Sequence, residues 1–274
     1  SYTENIGETE NNGYEFSFRY MFLRDISKRL YWSVNFSGNH NSNKITKISN
    51  AMKKRNEDII EKAYKEGSTA PLLLYEEGNS VTSIYAVRSL GIDPSNGKEM
   101  YLTKNGVKTY TWNSADQVCV GDTRPTMEGV FGTSLNWGDF SFSANFRYSF
   151  GGQVYNSTLA DRVENANLYQ NADRRVYEER WRKPGDVTMF KDVKDTSRTR
   201  QTSRFVQDND YISCESISLG YDITSPKVLN FIGAERLRVT GYLNDICRWS
   251  TVKQERGLDY PFARRYAFSL NVSF

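Results

Sequence analysis

The chain has 274 residues, enough for one or two domains, and a net charge of +3 from 36 Lys+Arg against 33 Asp+Glu. So small a charge leaves no electrostatic footprint for nucleic acid. One His and three widely spaced Cys cannot form a zinc site of ordinary ligand spacing, and no glycine-rich phosphate loop is present, so no cofactor is expected. Mean hydropathy is −0.66, and no run approaches the length of a membrane-spanning helix. Yet 14% of the residues are aromatic. A polar average with many aromatics fits a transmembrane β-barrel, which is apolar on its outer face and polar in its lumen and loops.

Strand side chains alternate between two faces, so the chain can be read for period two. Tyr14, Phe16, Phe18, Tyr20 and Phe22 share one face of a first strand. After a turn at Asp25 to Lys28, Leu30, Trp32, Val34 and Phe36 share one face of a second. Lys47–Glu66 carries Ile48, Met52, Ile59, Ile60 and Ala63 and predicts a helix in a long connection. Val81 to Val87 and Phe131 to Trp137 alternate more weakly, and a further strand is expected between Lys98 and Trp112. Past a tight turn at Trp137-Gly138-Asp139, the residues Phe140, Phe142, Phe146, Tyr148 and Phe150 occupy the apolar phase of an eleven-residue strand and are expected to face lipid. Ile217 to Ile223 and Leu237 to Leu243 follow, joined through Ser225–Gly233 with a helical turn after Pro226. Tyr266, Phe268, Leu270, Val272 and Phe274 close the chain on one face of a last strand.

Strands of nine to eleven residues exceed the soluble norm of five or six and suit a tilted bilayer crossing. Arg19, Arg88, Arg147, Arg236 and Arg238 all fall on the polar phase, as they should when a lipid-facing Arg costs roughly 2–4 kcal/mol. Glu215 breaks the pattern by sharing the phase of Ile217 and Leu219, which predicts a place above the membrane; Cys214 falls on the lumen phase with no evident partner. Short turns alternate with connections of about forty and sixty residues, matching periplasmic turns and extracellular loops. The reading is all-β: about nine long antiparallel strands with helix-bearing outer loops. Nine cannot close a barrel of the usual even-numbered kind. Residues 1–274 are therefore expected to be the C-terminal part of one larger barrel domain.

Several blocks carry a family resemblance. Gly91-Ile92-Asp93-Pro94-Ser95-Asn96-Gly97-Lys98 is similar to a "GxDPxxG" turn, and Trp181-Arg182-Lys183-Pro184-Gly185-Asp186 to a "WxxPGD" loop. Pro125 to Tyr155, Ser203 to Tyr221 and Tyr260 to Phe274 match in the same order. The chain resembles the C-terminal barrel region of SusC/RagA-type TonB-dependent outer-membrane transporters of Bacteroidetes. It departs at Tyr211-Ile212-Ser213-Cys214, where "YLRL" is common, and at Thr251 to Asp259, where "DPE" is common. The resemblance implies a barrel of about 22 strands around a plug, nutrient import powered through TonB, a SusD-like lipoprotein lid and an oligosaccharide or peptide substrate. The plug and TonB box are expected outside these residues. It also implies that the aromatic phase from Tyr266 to Phe274 is the signal for barrel assembly.

Within the sixty-residue connection, Tyr155, Asn156, Tyr169, Tyr177 and Trp181 are candidate contacts for substrate or lid, aromatic faces beside hydrogen-bonding groups. Trp181, inside a family motif, also reads as structural. The adjacent acids Glu178/Glu179 and Glu76/Glu77, and the pair Asp208/Asp210, do not suggest an enzyme, because general acid–base work needs converging carboxylates. His40 reads as a surface residue. An autotransporter translocator and a soluble carbohydrate-binding β-sandwich are the competing readings. The first expects about twelve evenly spaced strands, and the second does not account for eleven-residue strands with aromatics facing outward.

Overall fold

The structure, a computed structural model, describes residues 7–67, 69–253 and 264–274. Its strands are β1 (Gly7–Asp25), β2 (Leu30–Ile48), β3 (Ser83–Ile92), β4 (Glu99–Leu102), β5 (Lys108–Thr109), β6 (Gln117–Asp122), β7 (Met127–Trp137), β8 (Phe140–Phe150), β9 (Gln153–Tyr155), β10 (Val206–Asp208), β11 (Tyr211–Ile223), β12 (Arg236–Ser250) and β13 (Arg265–Ser273). Its α-helices are α1 (Asn50–Glu66), α2 (Arg175–Glu178) and α3 (Pro226–Ile232). The described residues divide into a sheet unit, residues 13–41, 125–151, 209–253 and 264–274, and a loop unit, residues 7–12, 42–67, 69–124 and 152–208. Residues 260–263 of the terminal motif lie outside the described residues.

One sheet holds β1-β2-β7-β8-β11-β12-β13 in that order. This is seven strands where about nine were expected. The missing pair is explained by Val81 to Val87 and the stretch after Lys98, which fold as β3, β4 and β5 within a separate four-stranded sheet. β3 begins with five consecutive buried residues, so its alternation was that of an interior strand. The β7–β8 hairpin turns on Gly138 at φ 58, the first position of a two-residue loop, where type II′ geometry calls for glycine.

The two faces of this sheet differ in chemistry. Phe36, Phe131 and Phe146 are aligned partners across three strands, and the rings of Phe131 and Phe146 stack 4.9 Å apart. The next row is Gly38, Gly129 and Tyr148. The Tyr148 ring occupies the space both glycines leave open: a Cβ on Gly38 would sit 2.3 Å from the tyrosine oxygen. Tyr148 stacks on Phe36 at 5.5 Å and donates to the Ser37 carbonyl at 3.1 Å. Aromatic cover of glycine in a sheet is a known device for fixing register. On the opposite face, Arg238 donates to Ser141 (2.6 Å), Ser143 meets Ser218 (2.7 Å) and Asn145 donates to Ser216 (3.2 Å).

Glu215 is a correction to the sequence reading, and Cys214 moves with it. Cys214 pairs with Phe146 while Ser216 pairs with Asn145, so Glu215 is an extra residue, a β-bulge. The bulge switches the phase of β11. Glu215 reaches Arg147 of the polar face at 3.5 Å, and Cys214 shares the face of Phe146 rather than the lumen phase.

At one end of the sheet the connections are short and tied together. Asp139 accepts from Arg29 (2.7 Å) and Thr224 (3.0 Å), and its carbonyl accepts from the Asp222 amide (2.8 Å). The Arg29 and Thr224 hydrogen bonds hold the Asp139 carboxyl below the usual carboxylate range.

Candidate functional site

The loop unit is built around its own core of Leu159, Ala160, Val163, Val176, Phe190 and Phe205. A second cluster packs Ala63 of α1 against Leu72, Leu74 and Tyr85. The predicted helix is α1. The Ser49 hydroxyl caps its start by accepting from the Met52 amide at 3.2 Å, and Gly67, at φ 69, ends it in the left-handed conformation that glycine adopts freely.

Within the loop unit a charge group is buried. Arg204 donates to Glu99 at 2.8 Å and to Glu164 at 2.7 Å, and all three side chains are nearly sealed. Ser89 donates to Glu99 (2.6 Å) and Thr199 to Glu164 (3.1 Å). Burial works against the Arg204 charge, but the two carboxylates outweigh it and hold the guanidinium more firmly protonated than usual. Burial also pushes the phenols of Tyr155 and Tyr101 upward, so both stay neutral.

The two motifs that carried the resemblance are packing partners. The turn at Asp93 closes through a hydrogen bond from the Gly97 amide to the Asp93 carbonyl (2.8 Å), with Gly97 at φ 71. The Trp181 ring lies directly on Gly97, where a Cβ would come within 2.6 Å of it. Trp181 Nε1 and the Gly185 amide both donate to the Pro94 carbonyl, at 3.0 and 2.8 Å. Asp186 accepts from the amides of Arg182 and Lys183 (both 3.1 Å), which shapes the second loop to meet the first.

The five candidate contact residues therefore separate. Trp181 is buried in that junction. Asn156 is buried and accepts from the Leu159 amide (3.1 Å), starting a π-helical turn over Leu159–Glu164. Tyr155 donates to the Thr69 carbonyl at 2.8 Å and lies edge-on to Phe205. Tyr169 is 99% exposed and Tyr177 74%, the latter with the Arg182 guanidinium 4.4 Å above its ring. Of the five, only these two are exposed, and Arg182 covers one face of Tyr177. The paired acids are engaged locally: Glu178 with Arg174 at 2.7 Å, Asp210 with the Gly151 amide at 2.6 Å, Glu77 with the Ile48 amide at 3.1 Å. His40 is half-buried, its Nδ1 2.5 Å from the Thr126 carbonyl.

A cleft of about 450 Å³ opens beside the π-helical turn, lined by Thr69, Asp161, Arg162, Asn165 and Arg198. Asn165 is fixed there by reciprocal hydrogen bonds with the Thr199 backbone, at 3.0 and 2.8 Å. Guanidiniums and a carboxylate around one opening suit a polar ligand bearing both donors and acceptors. The sequence singled out none of these five, because Thr69 and Arg198 reach the cleft from distant positions. The π-helical insertion, often found at functional sites, has no sequence signature.

In the sheet unit the apolar phase is open: Phe18, Tyr20, Phe22, Trp32, Phe36, Leu219, Tyr221, Trp249 and Phe268 are all exposed. An apolar face of that extent marks a surface that meets lipid or protein. No family model matches the chain. It is 24% identical to the TonB-dependent receptor P39 of Formosa agariphila over an alignment covering 98% of this chain and 31% of that protein. It is 23% identical to the TonB-dependent receptor SusC of Bacteroides thetaiotaomicron, covering 80% of this chain and 21% of that protein. The chain is similar to TonB-dependent receptors of the SusC kind. A solved structure of the RagAB peptide importer in its open-open state superposes with a TM-score of 0.75 at 16% identity, over 99% of this chain and 29% of that one. The fold is thus part of a large antiparallel β-barrel, and the chain spans about a third or less of the length of the relatives it matches.

Proposed function

We propose that this chain is the distal portion of one outer-membrane barrel domain that imports oligosaccharides or peptides, is opened through TonB and is lidded by a SusD-like lipoprotein. The two-faced seven-stranded sheet carries the reading. One face is an aromatic ladder with many exposed rings, and the other is a row of hydrogen-bonded Ser, Asn and Arg. The first suits lipid and the second a watered lumen. In this reading Phe140, Phe142, Phe146 and Phe150 meet lipid, and Tyr148 fixes register with its ring at the same face. The long connections lie outside the cell, and β13 with Phe274 is the segment read during barrel assembly. Tyr169, Tyr177 and the cleft at Arg162 and Arg198 are the surfaces offered to cargo or lid. The reading is one of transport without catalysis.

The test is an antibody against residues 151–210, applied to fractionated and to intact cells. The expected result is a heat-modifiable outer-membrane band far larger than 31.6 kDa, with the epitope accessible on intact cells. A soluble 31.6 kDa band would overturn the proposal.

A further inference from the structure

Two of the three cysteines, 33 positions apart in sequence, face each other on neighbouring strands. Cys214 of β11 and Cys247 of β12 are aligned antiparallel partners. Directly opposed residues have Cα atoms about 4.5–5.5 Å apart, inside the window of about 4.4–6.8 Å that a disulfide spans without backbone movement. Cys214 is almost wholly buried and Cys247 is half-buried, so neither side chain stands fully in the open. The register leaves the ladder here on both strands. Past the Cys pair, β11 has the single residue Glu215 while β12 has two, Ile246 and Asp245, the latter at a positive φ of 54. The next paired residues after the Cys pair are Ser216 and Asn244. The pair therefore sits beside a break in the β11–β12 register. Cys119, in the loop unit, is exposed and has no cysteine opposite it, its strand partner being Tyr85.

We infer that Cys214 and Cys247 are joined by a cross-strand disulfide that staples β11 to β12 at the paired bulge. The inference rests on the outer-membrane reading, because a chain bound there passes through an oxidising compartment. The chemistry is thiol–disulfide exchange with a protein dithiol oxidase in its disulfide form. One cysteine thiolate attacks a donor sulfur and releases the first donor thiol. The second thiolate then attacks the mixed disulfide, forming the Cys214–Cys247 bond and releasing the second donor thiol. The chain loses two protons and two electrons, and the donor gains both.

The full-length protein, extracted from cells directly into denaturant with N-ethylmaleimide and no reductant, is digested with trypsin and analysed by mass spectrometry. The expected product is peptide 205–227 linked to peptide 239–248, two hydrogens lighter than their sum, with Cys119 recovered as its maleimide adduct. Reduction before alkylation should convert the linked species wholly to the two separate adducts, and Cys214→Ser should leave Cys247 alkylated. Recovery of both cysteines as adducts without reductant overturns the inference. The cell fraction yielding the protein reports separately on the transport reading. Free thiols in outer-membrane protein sink the disulfide alone, whereas a linked peptide in protein from another oxidising fraction supports the disulfide and counts against transport.

Discussion

Arg204 joins the two buried carboxylates of the loop unit. Removing one partner of a buried ion group costs about 3–5 kcal/mol, chiefly from the charge left behind. Arg204→Met strands Glu99 and Glu164, so it should destabilise the loop unit by that order, read as accelerated proteolysis of residues 152–208 in the membrane-bound protein. Gly97→Ala tests the motif junction. It places a Cβ against the Trp181 ring at a positive φ, and should cost more than about 1 kcal/mol with the same protease readout. Asp139 carries a pH dependence. Its carboxyl is held below its ordinary value of 3.8, so its ties to Arg29 and Thr224 stabilise the turns at neutral pH and are lost as pH falls below that value. Amide exchange at Asp222 should be faster in Asp139→Asn than in the wild type at pH 6, and the difference should shrink as pH falls below 3.8. None of these three roles was legible from spacing. Glu99, Glu164 and Arg204 are far apart in sequence, and only folding brings them together.

Elements were legible wherever a period was strong. The eleven residues of β8 and the nine of β13 alternate cleanly because one face is apolar and the other is not, and both formed as expected. Two features defeated the reading. β3 alternated but belonged to the interior of the loop unit, and period two does not say which sheet a strand joins. The bulge at Glu215 reset the phase of β11, turning a misplaced acid into the partner of Arg147 and moving Cys214 to the other face. The phase assignment has a direct test. Phe142→Arg should cost roughly 2–4 kcal/mol of folding stability in lipid vesicles, whereas Ser143→Arg, one residue on and pointing to the polar face, should cost little. Urea titration of the refolded full-length protein, followed by heat-modifiability, measures both. Equal losses would mean that the two faces are not lipid and lumen.

At the scale of the molecule, the sequence conveyed the barrel character and the resemblance, but not the division of the chain into two units. The loop unit's core residues, Leu159, Val163, Val176, Phe190 and Phe205, are scattered over irregular backbone with no repeating interval, so no periodic signal announces them. The sheet has one property that follows from counting alone. It contains seven strands, and its outer edges at β1 and β13 have no neighbour among the described residues. If the sheet crosses a bilayer as proposed, backbone groups on such edges cannot be left bare in hydrocarbon. Seven being odd, β1 and β13 traverse in the same direction, so the strands abutting them must both traverse the other way. A closure of this sheet is then completed only by an odd number of further strands. In the proposed outer-membrane reading, with closure antiparallel throughout, the polypeptide that supplies them would enter and leave on opposite sides of the bilayer, so the parity of this one sheet would set the threading of whatever completes the cylinder.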